Sequence, residues 1–189
     1  MNSPDFARSI QSHSHRVEAA IKHAFLWRLY SEIWRIDPAI RVRVFDCEVD
    51  DSGCDVMVSV GTHTRHIQLK SSMVDSATAF VEVRPALCSL LGGCVIWMEY
   101  ERSTLEVQRY SYLAFSNPGE SLNFDLFPPG RGDRRRLRKT DFARRDVGFD
   151  EILKVLFGLP ESTQTVSSSM NLISSPDVDR VNHRDERRR

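Results

Sequence analysis

Two runs of alternating polar and apolar residues, joined by a two-residue turn, constrain this chain more than any other feature. Gly53-Cys54-Asp55-Val56-Met57-Val58-Ser59-Val60 leads through Gly61-Thr62 into His63-Thr64-Arg65-His66-Ile67-Gln68-Leu69-Lys70. Period-two alternation on both sides of a short glycine-containing turn predicts a β-hairpin. Successive strand side chains point to opposite faces, so Asp55, Met57 and Ser59 share one face while Val56, Val58 and Val60 share the other. In the second strand Thr64, His66, Gln68 and Lys70 oppose Arg65, Ile67 and Leu69. A carboxylate, a carboxamide and an amine can therefore converge on one side of a two-stranded ribbon.

The flanking segments give this hairpin a setting. Residues 1–14 are polar and expected to be a flexible N-terminus. A helix is predicted from His15 to about Ile36, ended by Asp37-Pro38 because the residue before a proline avoids helical geometry. Ile21, Phe25, Leu29 and Ile33 make its apolar stripe, flanked by Leu26 and Tyr30. Glu18 falls on the same stripe, which suits either a carboxylate with a metal or lysine partner or an acidic group favoured by the first turn's dipole. Residues 40–49 alternate as a further strand, and Asp50-Asp51-Ser52-Gly53 turns the chain into the hairpin. Asp50 and Asp51 are rival metal ligands, but an Asp-Asp-Ser-Gly turn needs no function.

Beyond Lys70 comes a loop, and residues 77–84 fit a short strand or a helical turn. Pro85 to Leu91 reads as a short helix with proline at its first position, closed by Gly92-Gly93. The apolar run from Cys94 to Tyr100 suits a strand covered on both faces. A helix crossing over to such a strand implies parallel pairing and an α/β sheet with helices on both sides. Residues 104–115 predict another strand, residues 117–130 a proline-containing loop, and Phe149 to Gly158 a last amphipathic helix packing Ile152, Val155 and Leu156. His63 and His66 fall on opposite strand faces and cannot share a metal there. His66 shares a face with Gln68 and Lys70, where it either touches substrate or bonds to its neighbours.

Composition sets the outer limits. A chain of 189 residues, 41% hydrophobic and 28% charged, holds one ordinary domain and a tail. The expected organisation is a flexible 1–14, a folded 15–158 and a disordered polar tail at 159–189. No apolar run approaches the ~20 residues of a membrane span, and the N-terminus lacks the order of a secretory signal, so a cytoplasmic protein without a membrane partner is expected. Cys47, Cys54, Cys88 and Cys94 have no CxxC pairing and suit buried thiols in a reducing compartment. Net charge is zero, yet residues 1–130 carry 12 Lys and Arg against 16 Asp and Glu, while residues 131–189 carry 14 against 10. The basic excess centres on Arg134, Arg135, Arg136, Arg138 and Lys139. Such a run either contacts nucleic-acid phosphates or is a solvated loop paired with Asp133, Asp141 and Asp146.

Asp55 followed by Gln68-Leu69-Lys70, with twelve residues between Asp55 and Gln68, resembles the active-site motif of the PD-(D/E)XK nuclease superfamily in its Gln-x-Lys variant. The resemblance covers roughly residues 15–100. It implies a restriction-endonuclease-like fold, a mixed β-sheet flanked by helices, and a metal-dependent nuclease (a phosphodiester hydrolase) acting on DNA in defence against foreign DNA or in repair. Many members place a glutamate on the helix before the sheet, beside the metal, and Glu18 occupies that place. Asp55, the Gln68 side-chain oxygen and Glu18 would then hold Mg2+ or Mn2+, while Lys70 acts on the attacking water and the scissile phosphate. Arg134, Arg135, Arg136, Arg138 and Lys139 would contact the DNA. Target choice would come from loops, from this patch, or from a homo-oligomer or partner subunit. Two other readings stand beside this one. The first is a non-cleaving nucleic-acid-binding or scaffold subunit of the same fold. The second is an unrelated α/β protein in which Asp55 and Lys70 form a surface ion pair.

Overall fold

The computed structural model describes residues 14–47, 52–114, 122–142 and 144–160. Helix α1 (Ser14–Ile36) buries Ile21, Phe25, Leu29, Glu32 and Ile33, the four apolar residues recurring at every fourth position so that they line one side. Its end is set by Asp37, whose N–H donates to the Ile33 carbonyl at 2.9 Å and whose carboxylate accepts from the Ala39 N–H at 2.8 Å. Tyr30, expected beside the apolar stripe, instead turns outward with Trp27 and Trp34, the three being 44%, 75% and 69% exposed.

Strands β1 (Val42–Asp46), β2 (Val56–Val60) and β3 (His63–Met73) form an antiparallel meander. The hairpin register pairs Val60 with His63 and Val56 with Ile67, and Gly61 supplies the positive φ of 57° that the tight turn requires. Across it the hydroxyls of Ser59 and Thr64 bond at 2.5 Å. After β3 the chain passes through β4 (Phe80–Val83) and a 3-10 turn with proline first (Pro85–Ser89) to β5 (Gly93–Tyr100), all eight residues of which are buried. β5 runs parallel to β3, from His66 beside Gly93 to Met73 beside Tyr100. Next come β6 (Val107–Leu113), β7 (Arg135–Arg138), the two-residue β8 (Arg144–Arg145) and helix α2 (Phe149–Phe157). Gly158 ends α2 in the left-handed conformation, at φ 67°.

The result is a mixed six-stranded sheet in the order β1-β2-β3-β5-β6-β8, with β3–β5 its one parallel pair, and a separate antiparallel pair β4–β7. Alternation divides the core in two. Val56, Val58, Val60, Ile67, Ile96 and Met98 pack against α1 and α2 on one face, while Val95 and Trp97 pack against Val81, Val83, Leu137 and Phe142 on the other. Two expectations are corrected here. Both helices lie on one face of the sheet rather than flanking it, because the apolar sides of β4 and β7 and the 3-10 turns supply the second cover. The basic run is also not simply a loop: Leu137, fully buried, alternates with arginines and draws residues 135–138 into a strand on β4.

Of the segments expected to be flexible at 1–14 and disordered at 159–189, residues 1–13 and 161–189 lie outside the described residues, as do Asp50 and Asp51, while Ser14 begins α1. Among the described residues no helix is long and apolar enough to cross a membrane.

Candidate functional site

A notch forms where the hairpin partners separate. β3 continues to Met73, but β2 accompanies it only as far as Val56 opposite Ile67. Asp55 closes the ladder at that point. Its N–H donates to the Ile67 carbonyl at 2.9 Å, and its carbonyl accepts from the Cys47 N–H at 3.3 Å. Its carboxylate Oδ2 then accepts the Leu69 N–H at 2.6 Å. A side-chain oxygen thus takes the place of a main-chain acceptor, which orients the carboxylate and satisfies a strand N–H that has lost its partner.

Beside this notch is a cavity of about 470 Å3 walled by the first turns of α1 and by the separated strands. Asp55 and Lys70 line it from the hairpin, and Glu18 lines it from the helix. His15, Lys22, Cys47 and Ser71 line it as well, and the sequence reading assigned none of them a part in the site. A signal for two of them exists: His15, Glu18 and Lys22 recur at three- and four-residue spacing and so share a helix face. His15 Nδ1 stands 3.9 Å from Glu18 Oε2, and Lys22 Nζ bonds Asp46 Oδ1 at 2.9 Å. The cavity therefore presents two carboxylates, two ammonium groups and an imidazole, a balanced set rather than a strongly negative one. Tyr100, on β5, has its phenol pushed above the usual range, first by burial and then by the carboxylates of Asp75 and Glu18, with Arg102 opposing.

Gln68 does not line this cavity. It is 3% exposed, and its Oε1 has no hydrogen-bond partner among the described residues. Gly53 explains how tightly it is covered. A Cβ at Gly53 would lie 3.3 Å from Gln68 Nε2 and 2.8 Å from Arg84 Cβ, and the backbone there has φ +71°, so only glycine fits. His66 bonds the Leu91 carbonyl through Nδ1 at 3.0 Å, the neighbour-bonded alternative for that ring.

The basic run lies apart from the cavity, and none of its five residues lines it. Arg135 stands 3.9 Å from Asp125, while Arg136 is 3.7 Å from Glu82 and stacks over Phe80 at 4.8 Å. Lys139 bonds Glu99 and sits over the Trp97 ring at 5.3 Å. Arg138 is exposed and Arg134 half-buried. These acidic partners differ from the expected Asp133, Asp141 and Asp146, because strand pairing brings in Glu82 from β4 and Glu99 from β5. Asp141 acts instead on the backbone, accepting the Arg138 N–H at 2.6 Å.

Among the described residues no group of three or more His, Cys, Asp and Glu side chains is placed to hold a metal ion. No protein-family model, curated protein or solved structure matches the chain.

Proposed function

We propose that this protein is a magnesium- or manganese-dependent deoxyribonuclease of restriction-endonuclease-like fold, hydrolysing DNA phosphodiester bonds. The observation that carries this reading is the meeting of Glu18, Asp55 and Lys70 around one cavity at the notch of the hairpin. The element order supports it: a helix, three antiparallel strands and, after β4 and a 3-10 turn, a strand parallel to the third. Magnesium is commonly held by one or two carboxylates together with water, so Asp55 and Glu18 fit as its protein ligands. Gln68 fits less well as a third, since its amide is enclosed beneath Gly53. The bound metal would supply Lewis acidity and an acidified water.

The chain's own groups do the rest. The Leu69 N–H holds the Asp55 carboxylate in one orientation. The Lys70 ammonium would orient the attacking water and offset the negative charge that develops on the phosphate. Lys22, already turned toward Asp46, adds positive potential at the same wall.

A second reading, a non-cleaving nucleic-acid-binding or scaffold subunit, is favoured by one observation, the enclosure of Gln68. Incubation with plasmid, linear duplex and single-stranded DNA, with and without Mg2+ or Mn2+, separates the two. The enzyme cuts only with metal, and Lys70→Ala abolishes cleavage while leaving DNA affinity and thermal unfolding nearly unchanged. Wild type that binds DNA but cuts no substrate with either metal establishes the second reading instead.

A further inference from the structure

Cys47 and Cys54 bracket the connection between β1 and β2, and their sulfur atoms stand 2.8 Å apart as free thiols. The backbone holds them there. Cys47 N–H reaches the Asp55 carbonyl at 3.3 Å, and Asp55 N–H reaches the Ile67 carbonyl at 2.9 Å, so the main chain fixes both cysteines to the hairpin without a covalent bond between the sulfurs. A disulfide requires a separation of about 2.05 Å, less than 1 Å from the present one. The other two cysteines have no such arrangement, since Cys94 packs in the core under the helices and Cys88 against the core on the opposite face.

The two thiols also differ in access. Cys47 is half-buried and lines the cavity, whereas Cys54 is 2% exposed. An external reagent therefore meets Cys47 first, and Cys54 is placed to answer from behind it.

We propose that Cys47 and Cys54 form a thiol–disulfide modification site, oxidised by a low-molecular-weight disulfide that reaches Cys47 through the cavity. The Cys47 thiolate attacks one sulfur of the small disulfide, breaking its S–S bond and releasing one thiolate, which takes up a proton. Cys54 then gives its proton to solvent and attacks Cys47 Sγ, expelling the second small thiol. Two protein thiols are oxidised and one small disulfide is reduced to two thiols. The new bond joins the end of β1 to the residue before Asp55, so a covalent tie is added to a wall that hydrogen bonds and apolar packing hold in the reduced protein.

The test uses the full chain, first reduced and then equilibrated with oxidised glutathione, quenched with iodoacetamide and digested with trypsin. No Lys or Arg lies between Arg43 and Arg65, so both cysteines fall in the single peptide 44–65. The expected product is that peptide unalkylated and about 2 Da lighter than its reduced form, the two hydrogens having been lost. The oxidised protein should also melt about 5 °C or more above the reduced one, an increase that Cys47→Ser and Cys47→Ala both abolish. Two alkylated cysteines in that peptide, or a glutathione adduct on Cys47 that Cys54 does not resolve, would overturn the proposal. The mass measurement is made on wild type and requires no DNA cleavage, so its outcome is independent of the nuclease reading.

Discussion

At the scale of single residues, Arg65 shows how a charge can lie fully buried. Its Nε donates to the Leu156 carbonyl at 2.7 Å and its Nη2 to the Val155 carbonyl at 3.1 Å. Both acceptors lie in the last turn of α2, where carbonyls have no intrahelical donor and a positive charge is favoured. Burial lowers the guanidinium's pKa, with the neighbouring Cys94 acting in the opposite sense. Arg65→Met should therefore destabilise the protein by roughly 2–4 kcal/mol, since it strands buried carbonyls as well as removing charged hydrogen bonds. Arg65→Lys should recover part of that loss. Urea unfolding measures both, and a loss below about 0.5 kcal/mol for the methionine variant would contradict the assignment. Alternation in the sequence put Arg65 on the face of Ile67 and Leu69, but its acceptors lie about 90 positions later, beyond any local pattern. The candidate site was legible to a similar extent. Asp55, Lys70 and Glu18 stand out as polar groups in periodic segments. The enclosure of Gln68 depends on the hairpin ladder ending at Ile67 and on Arg84 folding over Gly53, and period two says nothing of either.

At the scale of elements, α1 offers the cleanest contrast. Phe25 is fully buried and its ring meets Phe149 of α2 at a centroid distance of 5.7 Å, while Trp27, two residues on, is 75% exposed. Hydrophobicity alone would rank the tryptophan as the greater loss. Position on the helix reverses that order. Phe25→Ala should cost about 3–5 kcal/mol through the cavity it leaves, and Trp27→Ala within about 0.5 kcal/mol, as compared by denaturant midpoints. Comparable losses for the two would mean that α1 is rotated from this placement. The helical period made this stripe readable in advance, and in part that of α2: Ile152 and Leu156 are buried as expected, Val155 is half-buried, and Phe149, Leu153 and Phe157 complete the buried side. β7 was not readable as a strand, because its four residues include one apolar side chain and its partner β4 lies more than 50 residues earlier. A short strand among arginines has no sequence signal until the sheet that receives it exists.

At the scale of the whole molecule, two antiparallel blocks meet along one parallel pair. β1, β2 and β3 follow one another through local connections, and β5 leads to β6 in the same manner. Between the blocks, residues 74–92 must cross the far face before β5 can lie beside β3. Joining distant segments costs chain entropy before any contact offsets it, so bringing β5 onto β3 should be the slow event in folding. Ile96→Ala, at the join and opposite Leu69, should slow refolding in stopped-flow measurements, whereas Val44→Ala on the outer strand should mainly speed unfolding. Equal effects on both rates would remove the join from the rate-limiting step. During that delay the inner edges of both blocks stand open, carrying backbone donors and acceptors beside apolar side chains. Each is a ready template for the same edge of another chain, so refolding yield should fall as protein concentration rises, and fall further in whichever variant lengthens the wait.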